Sequence, residues 1–473
     1  MSRYIVIGSG ISALGAIEAL IENGIKPTVI DIGIIPEKKI INKLTCGKKW
    51  NGSYSGYGIF DKKSPLSIKT KRLCSSHQFG GFGSVWTGSF HLPYFEDLDI
   101  SHNEFKKIIR YAKEFKRKYT LNSDYALIEE DFTKNSQSNI SNVKFKKARI
   151  AILKSNSQTK IEFKTNSASI SNLGPIFNPS VIINNYSKNK LLNYIGNSYA
   201  ISIDEKRNNL IYIKDDKINE INFSKLFVCC GCINSIYLLQ GMKKENKYSL
   251  FKLNVAPSIS IPFISLRKRK TTKLHNQANY HVPTDFLIIK SIKGVKNSVF
   301  CQISQLNLEL FKYANIPSFL QKFLLRLSPH IFIAQIRLSS KNAFPTYLKV
   351  KGYRGIDNLG EVIIKEPKNK FHKKSLKNSF EKICSILSSK GFYTNKIFIN
   401  LFKFIVGQDS CGWHMGIDLD FNKNIKISKK TFSKNNIHFC DSITLKHIPA
   451  TTIFSILYGR SKMLVLELLK SKP

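Results

Sequence analysis

Apolar positions near the start of the chain change their spacing twice within thirty residues. Tyr4-Ile5-Val6-Ile7 is an unbroken apolar run that predicts a short buried strand. After Gly8-Ser9-Gly10, residues Ala13, Ala16, Ile17, Leu20 and Ile21 recur at helical spacing and predict an amphipathic helix to Asn23. Gly24 stands where a helix-ending glycine belongs. Thr28-Val29-Ile30 then predicts a second strand, closing on Asp31.

Further along, His102 to Tyr119 has the pattern of a basic helix with a solvated charged face. Alternation at Tyr199, Ile201, Ile203 and then Ile211, Ile213 predicts a hairpin turning at Asn208-Asn209. Phe223 to Val228 predicts a buried strand, and a helix through Leu238 and Leu239 should follow it. Strand-like pieces come next at Asp285 to Ile289, Val299 to Ile303, Ile331 to Leu338 and Gly360 to Ile364. Phe319 to Leu327 and Phe371 to Lys390 have helical periodicity.

The first block is more than a scaffold pattern. A strand, a Gly-x-Gly-x-x-Ala turn and a helix, followed by a second strand and an acid, make up the dinucleotide-binding fingerprint. Gly8 permits the tight turn, Gly10 lets backbone approach a pyrophosphate, and Ala13 in the third glycine slot lets the helix pack closely. The helix N-terminus offers unpaired N–H groups and partial positive charge to phosphates. Asp31, 21 positions after Gly10, is placed to accept from an adenosine ribose hydroxyl. A second glycine-rich stretch, Gly80-Gly81-Phe82-Gly83-Ser84-Val85-Trp86, is too apolar for an ordinary surface loop, and its glycines would let backbone approach a cofactor.

At 473 residues the chain predicts about two domains, with 42% hydrophobic and 11% aromatic residues to fill them. No apolar run reaches the roughly 18 residues of a membrane span, no secretory leader is expected ahead of the first strand, and the expected compartment is the cytoplasm. Nine cysteines, an odd number scattered through a long chain, argue against a disulfide framework. Cys229-Cys230-Gly231-Cys232 lacks a second ligand cluster at matching spacing, so small buried hydrophobes are expected there rather than a metal site. The formal charge of +42 comes from 74 basic against 32 acidic residues. Lys is spread throughout beside abundant Ile and Asn, which points to a compositional bias; specific nucleic-acid binding is not expected, and peripheral membrane contact stays open.

Four segments in this order resemble the glucose–methanol–choline family of flavin oxidoreductases, especially bacterial members associated with surface-polysaccharide biosynthesis. They are Gly8 to Asp31, Gly80 to Trp86 with His91-Leu92-Pro93-Tyr94, Val228 to Ser235, and Gly407 to Leu469. The resemblance implies an α/β fold: a Rossmann-like FAD-binding domain with an inserted mixed β-sheet substrate domain. The expected division is 1–249 for the main part of the FAD domain, 250–395 for the substrate domain and 396–473 for a return to the FAD domain. It implies FAD held by Gly8, Gly10, Ala13, Asp31, Gly80, Gly81 and Gly83. Asp441 would face the ribityl or pyrophosphate region, or else serve as a helix cap or turn residue. A helix starting at Pro449 would aim its N-terminus at the flavin pyrimidine ring.

The resemblance also implies oxidation of a CH–OH group, of a sugar or polysaccharide precursor, by hydride transfer to flavin and on to an unknown electron acceptor. The family's usual His-x-x-Gly-Thr is not present at Gln408 to Ile417: one register puts Trp413 in the histidine slot, another Gln408. His414 is the nearest candidate base, and His447, 33 positions later, replaces the expected second partner. Packed or solvated histidines are the alternative. Loss of chemistry, leaving a flavin-fold binding protein, and a basic nucleic-acid-binding protein are the rival readings.

Overall fold

A computed structural model describes residues 3–34, 54–55, 58–59, 67–69, 76–84, 88–122, 142–151, 169–170, 174–175, 177–242, 247–266, 285–305, 326–327, 330–353, 360–368, 371–395, 399, 408–418 and 433–470. The opening block folds as its spacing predicts: Tyr4–Ile7 (β1), Ile11–Glu22 (α1) and Thr28–Ile30 (β2). His102–Tyr119 (α2) begins at Ser101, whose hydroxyl accepts the Glu104 N–H at 3.2 Å. Val143–Lys147 (β3) and Pro179–Lys188 (α3) follow, the latter with Asn178 as cap and proline at its first turn. Next come Asn193–Ile195 (β4), Ser198–Asp204 (β5), Asn209–Lys214 (β6), Lys217–Asn222 (β7), Lys225–Val228 (β8) and Cys232–Gly241 (α4).

The predicted hairpin is thus the first half of a three-stranded meander. Asp215 and Asp216 both take positive φ, 50° and 57°, and return the chain into β7. That strand is mostly exposed and polar, so it left no apolar alternation to read.

The second half contains Ser249–Ser265 (β9), Asp285–Ile289 (β10), Val299–Gln305 (β11), Ile331–Leu338 (β12), Thr346–Lys351 (β13) and Glu361–Lys365 (β14). Lys373–Ser388 (α5), Gln408–Ile417 (β15), Ile437–Phe439 (β16) and Phe454–Lys470 (α6) complete it. The 17-residue β9 was invisible in the sequence because Pro257 and Pro262 interrupt it. Pro257 sits at a register shift against β15, and Pro262 pairs with Ile333 while its other edge is unpaired among the described residues. The helix predicted at Phe319 to Leu327, and Val85 with Trp86, lie mostly or wholly outside the described residues.

These elements form two main sheets. The six-stranded one runs β4-β2-β1-β8-β16, all parallel, with Ser433–Lys434 added antiparallel at the edge. The ten-stranded one is built around β9 and is largely antiparallel. It takes in Ser67–Lys69, β3 and β15, so it extends beyond 250–395 on both sides. This is the α/β class expected: a Rossmann-like unit joined to a separate β-sheet unit.

One side of the parallel sheet is covered by α1, which packs on α6. Gly15 makes that approach feasible, since a Cβ there would lie 2.6 Å from the Tyr458 carbonyl oxygen. Gly459 does the same for α6 on α2, where a Cβ would lie 2.5 Å from the Ile108 oxygen. Beneath them, buried Glu18 accepts from the hydroxyls of Tyr119 (2.6 Å), Tyr186 (3.2 Å) and Tyr458. Glu18, Glu22 and Glu114 stand close together, but the Lys462 ammonium lies 2.7 Å from Glu22 and 2.8 Å from Glu114 and fills the cluster with a protein cation. Among the described residues, no helix is long and apolar enough to cross a membrane.

The large sheet has two unlike faces. Leu287, Ile289, Cys301, Ile336 and Leu338 pack under Ile383, Ile386 and Leu387 of α5. The opposite face carries Phe286, Ile288 and Phe300 against Ala148 and Ala450, together with Gln302, Gln335 and Arg337. That second face looks toward the segment leading into α6.

Candidate functional site

β1 ends in Gly8, whose φ of +101° and missing side chain are both required: a Cβ would lie 2.7 Å from the Cys229 carbonyl oxygen. Gly10 forms the N-cap of α1 with no side-chain capping bond, and a Cβ added there meets nothing within 4 Å. Its lack of a side chain therefore serves the space outside the protein, as close approach by a ligand requires. Gly10 opens onto a cleft lined also by Gly8, Asp31, Gln78, Gly231 and Asn234. Gly231 repeats the arrangement at the N-terminus of α4, with no side-chain cap and no atom within 4 Å of an added Cβ. Two helix N-termini thus converge on one cleft, and their partial positive charge suits an anion such as a pyrophosphate.

The second glycine stretch is built into the same wall. Ser9 Oγ accepts the Gly80 N–H at 2.8 Å, and a Cβ on Gly81 would lie 3.7 Å from Gly10 Cα. Gly80 (φ +86°) and Gly81 (φ +56°) need their backbone freedom for this turn. Gly83 instead makes room for Pro179, 2.7 Å from where its Cβ would stand. Ala13 is fully buried and packs inside the fold, away from the cleft.

Asp31 lines the cleft, and burial pushes its carboxyl up to about 6. Bonds from Ser9, from the Tyr194 hydroxyl at 3.0 Å and from the Ile32 N–H oppose that rise. Asp441 is placed differently from the implied cofactor contact: it is not part of the cleft lining. Its Oδ2 accepts the Gly231 N–H at 2.8 Å and the Ser235 hydroxyl, and its Oδ1 accepts the Ile443 N–H at 3.0 Å. Asp441 thus caps the turn at Ser442–Thr444 and fixes Gly231, which lines the cleft. Burial raises its carboxyl to about 6 as well. Cys229 and Cys232 are buried, and burial raises the Cys229 and Cys230 thiols, as expected of packed hydrophobes.

At the other end, α6 does not start at Pro449 but at Phe454. The reason is local. Ile448 exchanges bonds with Ser340, its N–H to Ser340 Oγ at 3.0 Å and its carbonyl oxygen to the Ser340 N–H at 2.9 Å, which holds the chain out of helical conformation just before the proline. Thr451 and Thr452 are buried ahead of the helix, and their hydroxyls have no partner among the described residues.

The structure does not join the two candidate histidines: no hydrogen bond or ring contact links His414 with His447 among the described residues. His414 sits in β15 with a buried Nδ1 that has no partner among the described residues, and burial plus the nearby Arg337 charge lower it to about 3. His447 is part-exposed, 3.8 Å from Asp99 Oδ2, and burial lowers it despite that carboxylate. The side chains of Gln408 to Trp413 lie outside the described residues.

Sequence reasoning missed a further group. His91 is buried, 5.6 Å ring to ring from Tyr94 and 5.5 Å from Phe300, and its Nδ1 has no hydrogen-bond partner among the described residues. The same holds for the Tyr94 hydroxyl and Gln302 Oε1. Buried polar atoms are nearly always bonded, so their concentration around Phe286, Phe300 and Ala450 is unusual. Only the segment His91-Leu92-Pro93-Tyr94 carried any signal of it; Gln302 and Arg337 come from strands with nothing distinctive in their sequence.

No protein-family model matches the chain, and neither does any curated protein sequence. Among solved structures, the chain is similar to pyridoxine 4-oxidase from Mesorbium loti, with a TM-score of 0.57 at 8% identity over 100% of both chains. At that identity the likeness establishes the fold. The chain and that oxidase share an overall α/β architecture.

Proposed function

We propose that this chain is a flavin oxidoreductase that binds FAD in the cleft and oxidises a CH–OH group of a sugar or polysaccharide precursor. The observation that carries the reading is the pair of uncapped helix N-termini, at Gly10 and Gly231, opening on one cleft with Asp31 at its wall. Gly8, Gly10, Gly80 and Gly81 would receive the pyrophosphate, with Gly83 and Ala13 supporting them and Asp441 holding Gly231. Asp31 would accept from the adenosine ribose. When bound, FAD supplies a two-electron acceptor for hydride.

The chain's own contribution to the chemistry is proton handling and polarity. His414 stays neutral at physiological pH, the form that accepts a proton from a substrate hydroxyl. Arg337, whose charge is felt at His414, would stabilise negative charge growing on that oxygen. His447 beside Asp99 would pass the proton outward.

The test is visible absorption before and after anaerobic addition of sugars and sugar nucleotides. Bleaching of the flavin band with one of them is expected, slowed roughly 100-fold or more in His414→Ala if His414 is the base. A flavin band that no alcohol bleaches would favour a second reading, a flavin-fold binding protein without catalysis. The absence of the family's usual His-x-x-Gly-Thr at Gln408 to Ile417 is the observation on its side.

A further inference from the structure

We propose that Tyr194 is a positioning residue for the nucleotide end of the cleft: its hydroxyl, donated to Asp31 Oδ2, holds that carboxylate in place to accept from an adenosine ribose hydroxyl. The inference rests on the FAD reading above.

Three strands meet here. β4 lies parallel to β2, with Tyr194 opposite Val29. The backbone of Asp31 is held on both sides, its N–H by the Ile195 carbonyl at 3.1 Å and its carbonyl by the Ser198 N–H at 3.0 Å. The side chain is held by Tyr194 Oη at 3.0 Å and by Ser9, whose hydroxyl also accepts the Gly80 N–H. Gly33, at φ +61°, leaves the room this needs, because a Cβ there would collide with Tyr194 Oη. The Tyr194 ring rests on Phe79, with centroids 4.9 Å apart, one residue before the second glycine turn. One tyrosine thus connects the β2 acid with the turn that closes the cleft.

Asp31 is crowded by groups that keep their protonation state between pH 5.5 and 8.5. Burial holds the Tyr194 and Cys230 protons on, and His77, across the cleft against Tyr199, is lowered to about 3 and stays neutral. Two carboxyls titrate in that window: Asp31, raised to about 6 and kept from rising further by its donors, and Asp441, also raised to about 6 behind Gly231. The Asp31→Asn background leaves Asp441 in place and so separates the two. Loss of the tyrosine hydroxyl removes a donor to the ionised form, so the carboxyl moves up, and the anion that the ribose needs becomes scarcer at neutral pH.

The experiment is FAD titration of wild type, Tyr194→Phe, Asp31→Asn and the double variant, from pH 5.5 to 8.5, read by quenching of flavin fluorescence. Tyr194→Phe keeps the ring on Phe79. Wild-type affinity should fall as pH drops through about 6; in Tyr194→Phe the midpoint should move upward. The tyrosine variant should bind roughly fivefold more weakly at pH 7, the worth of one hydrogen bond, with the gap narrowing toward pH 8.5. In the Asp31→Asn background, removal of the hydroxyl should have little further effect. Equal loss at every pH, or losses that add in the double variant, would overturn the proposal and make Tyr194 a packing residue. Unchanged affinity in Tyr194→Phe would overturn it alone, whereas a wild type that binds no FAD at any pH would overturn the FAD reading with it.

Discussion

The two ends of the interior are built by different rules. At the nucleotide end, contiguous residues do the work: Gly8, Gly10 and Asp31 come from one strand–helix–strand unit, and their spacing is set by the fold itself. Their polar groups are already engaged, Gly80 on Ser9, Asp31 on Tyr194, Gly231 on Asp441. At the other end, His91, Gln302, Arg337, His414 and Thr451 come from segments far apart in sequence, and His91 Nδ1, Gln302 Oε1, His414 Nδ1 and Thr451 Oγ1 have no partner among the described residues. The first end is shaped by backbone; the second is assembled from side chains of distant segments.

The sharpest way to break this contrast is at the two leading glycines. Gly8→Ala forces a positive-φ residue with a Cβ against the Cys229 oxygen, and should cost about 1–3 kcal/mol of stability from strain alone. Flavin binding should fall with it. Gly10→Ala places its methyl in open space, so thermal unfolding should be unchanged while FAD affinity drops roughly tenfold or more. Equal behaviour of the two variants in thermal melts and FAD titrations would erase the distinction between a fold glycine and a ligand glycine.

Next in size is Gly15→Ala, remote from the cleft but 2.6 Å from the Tyr458 oxygen through its new Cβ. Overpacking at this helix contact should cost about 1–3 kcal/mol, read as a lower urea midpoint. FAD affinity of the folded fraction should not change.

The smallest effect is on pH dependence, where buried histidines and buried carboxyls act with opposite sign. His77, His91 and His414 are lowered to about 3, and His438 to about 4, so below about pH 6.5 the unfolded chain binds more protons than the folded one. Their contribution to stability is present above that pH and is lost on acidification. Asp31 and Asp441, raised to about 6, act oppositely: the folded state holds their protons longer, so stability gains as pH falls from about 6 toward 4. Four histidines outweigh two carboxyls, and the melting temperature should drop between pH 7 and pH 5. The drop should be steeper when Asp31 and Asp441 are both replaced by Asn.

How much was legible in the sequence follows the same division. β1, α1 and β2 appeared within a residue or so of their bounds, as did β10 and β12, because each is a single apolar run or a single helical face. The unread elements had mixed signals: β7 is polar and exposed, and β9 contains two prolines. Asp441 was identified as an acid of interest, but its direction depends on Gly231, 210 residues away, and no local pattern records that. The start of α6 was misplaced because the bonds between Ile448 and Ser340 outrank the usual preference of proline for a first helical turn. His91 and Gln302 stayed hidden because what distinguishes them, an unbonded polar atom in a packed interior, is a property of tertiary structure.

The central claim is that the cleft at Gly8, Gly10 and Asp31 holds FAD. The most direct test is the flavin content of the purified protein, by visible absorption and by release of the nucleotide on denaturation, followed by titration with added FAD. One FAD per chain, retained or taken up, is the predicted result, with uptake strongly weakened in Gly10→Ala. A colourless protein that takes up no FAD would contradict the account and leave the opening strand–helix–strand unit as scaffold alone.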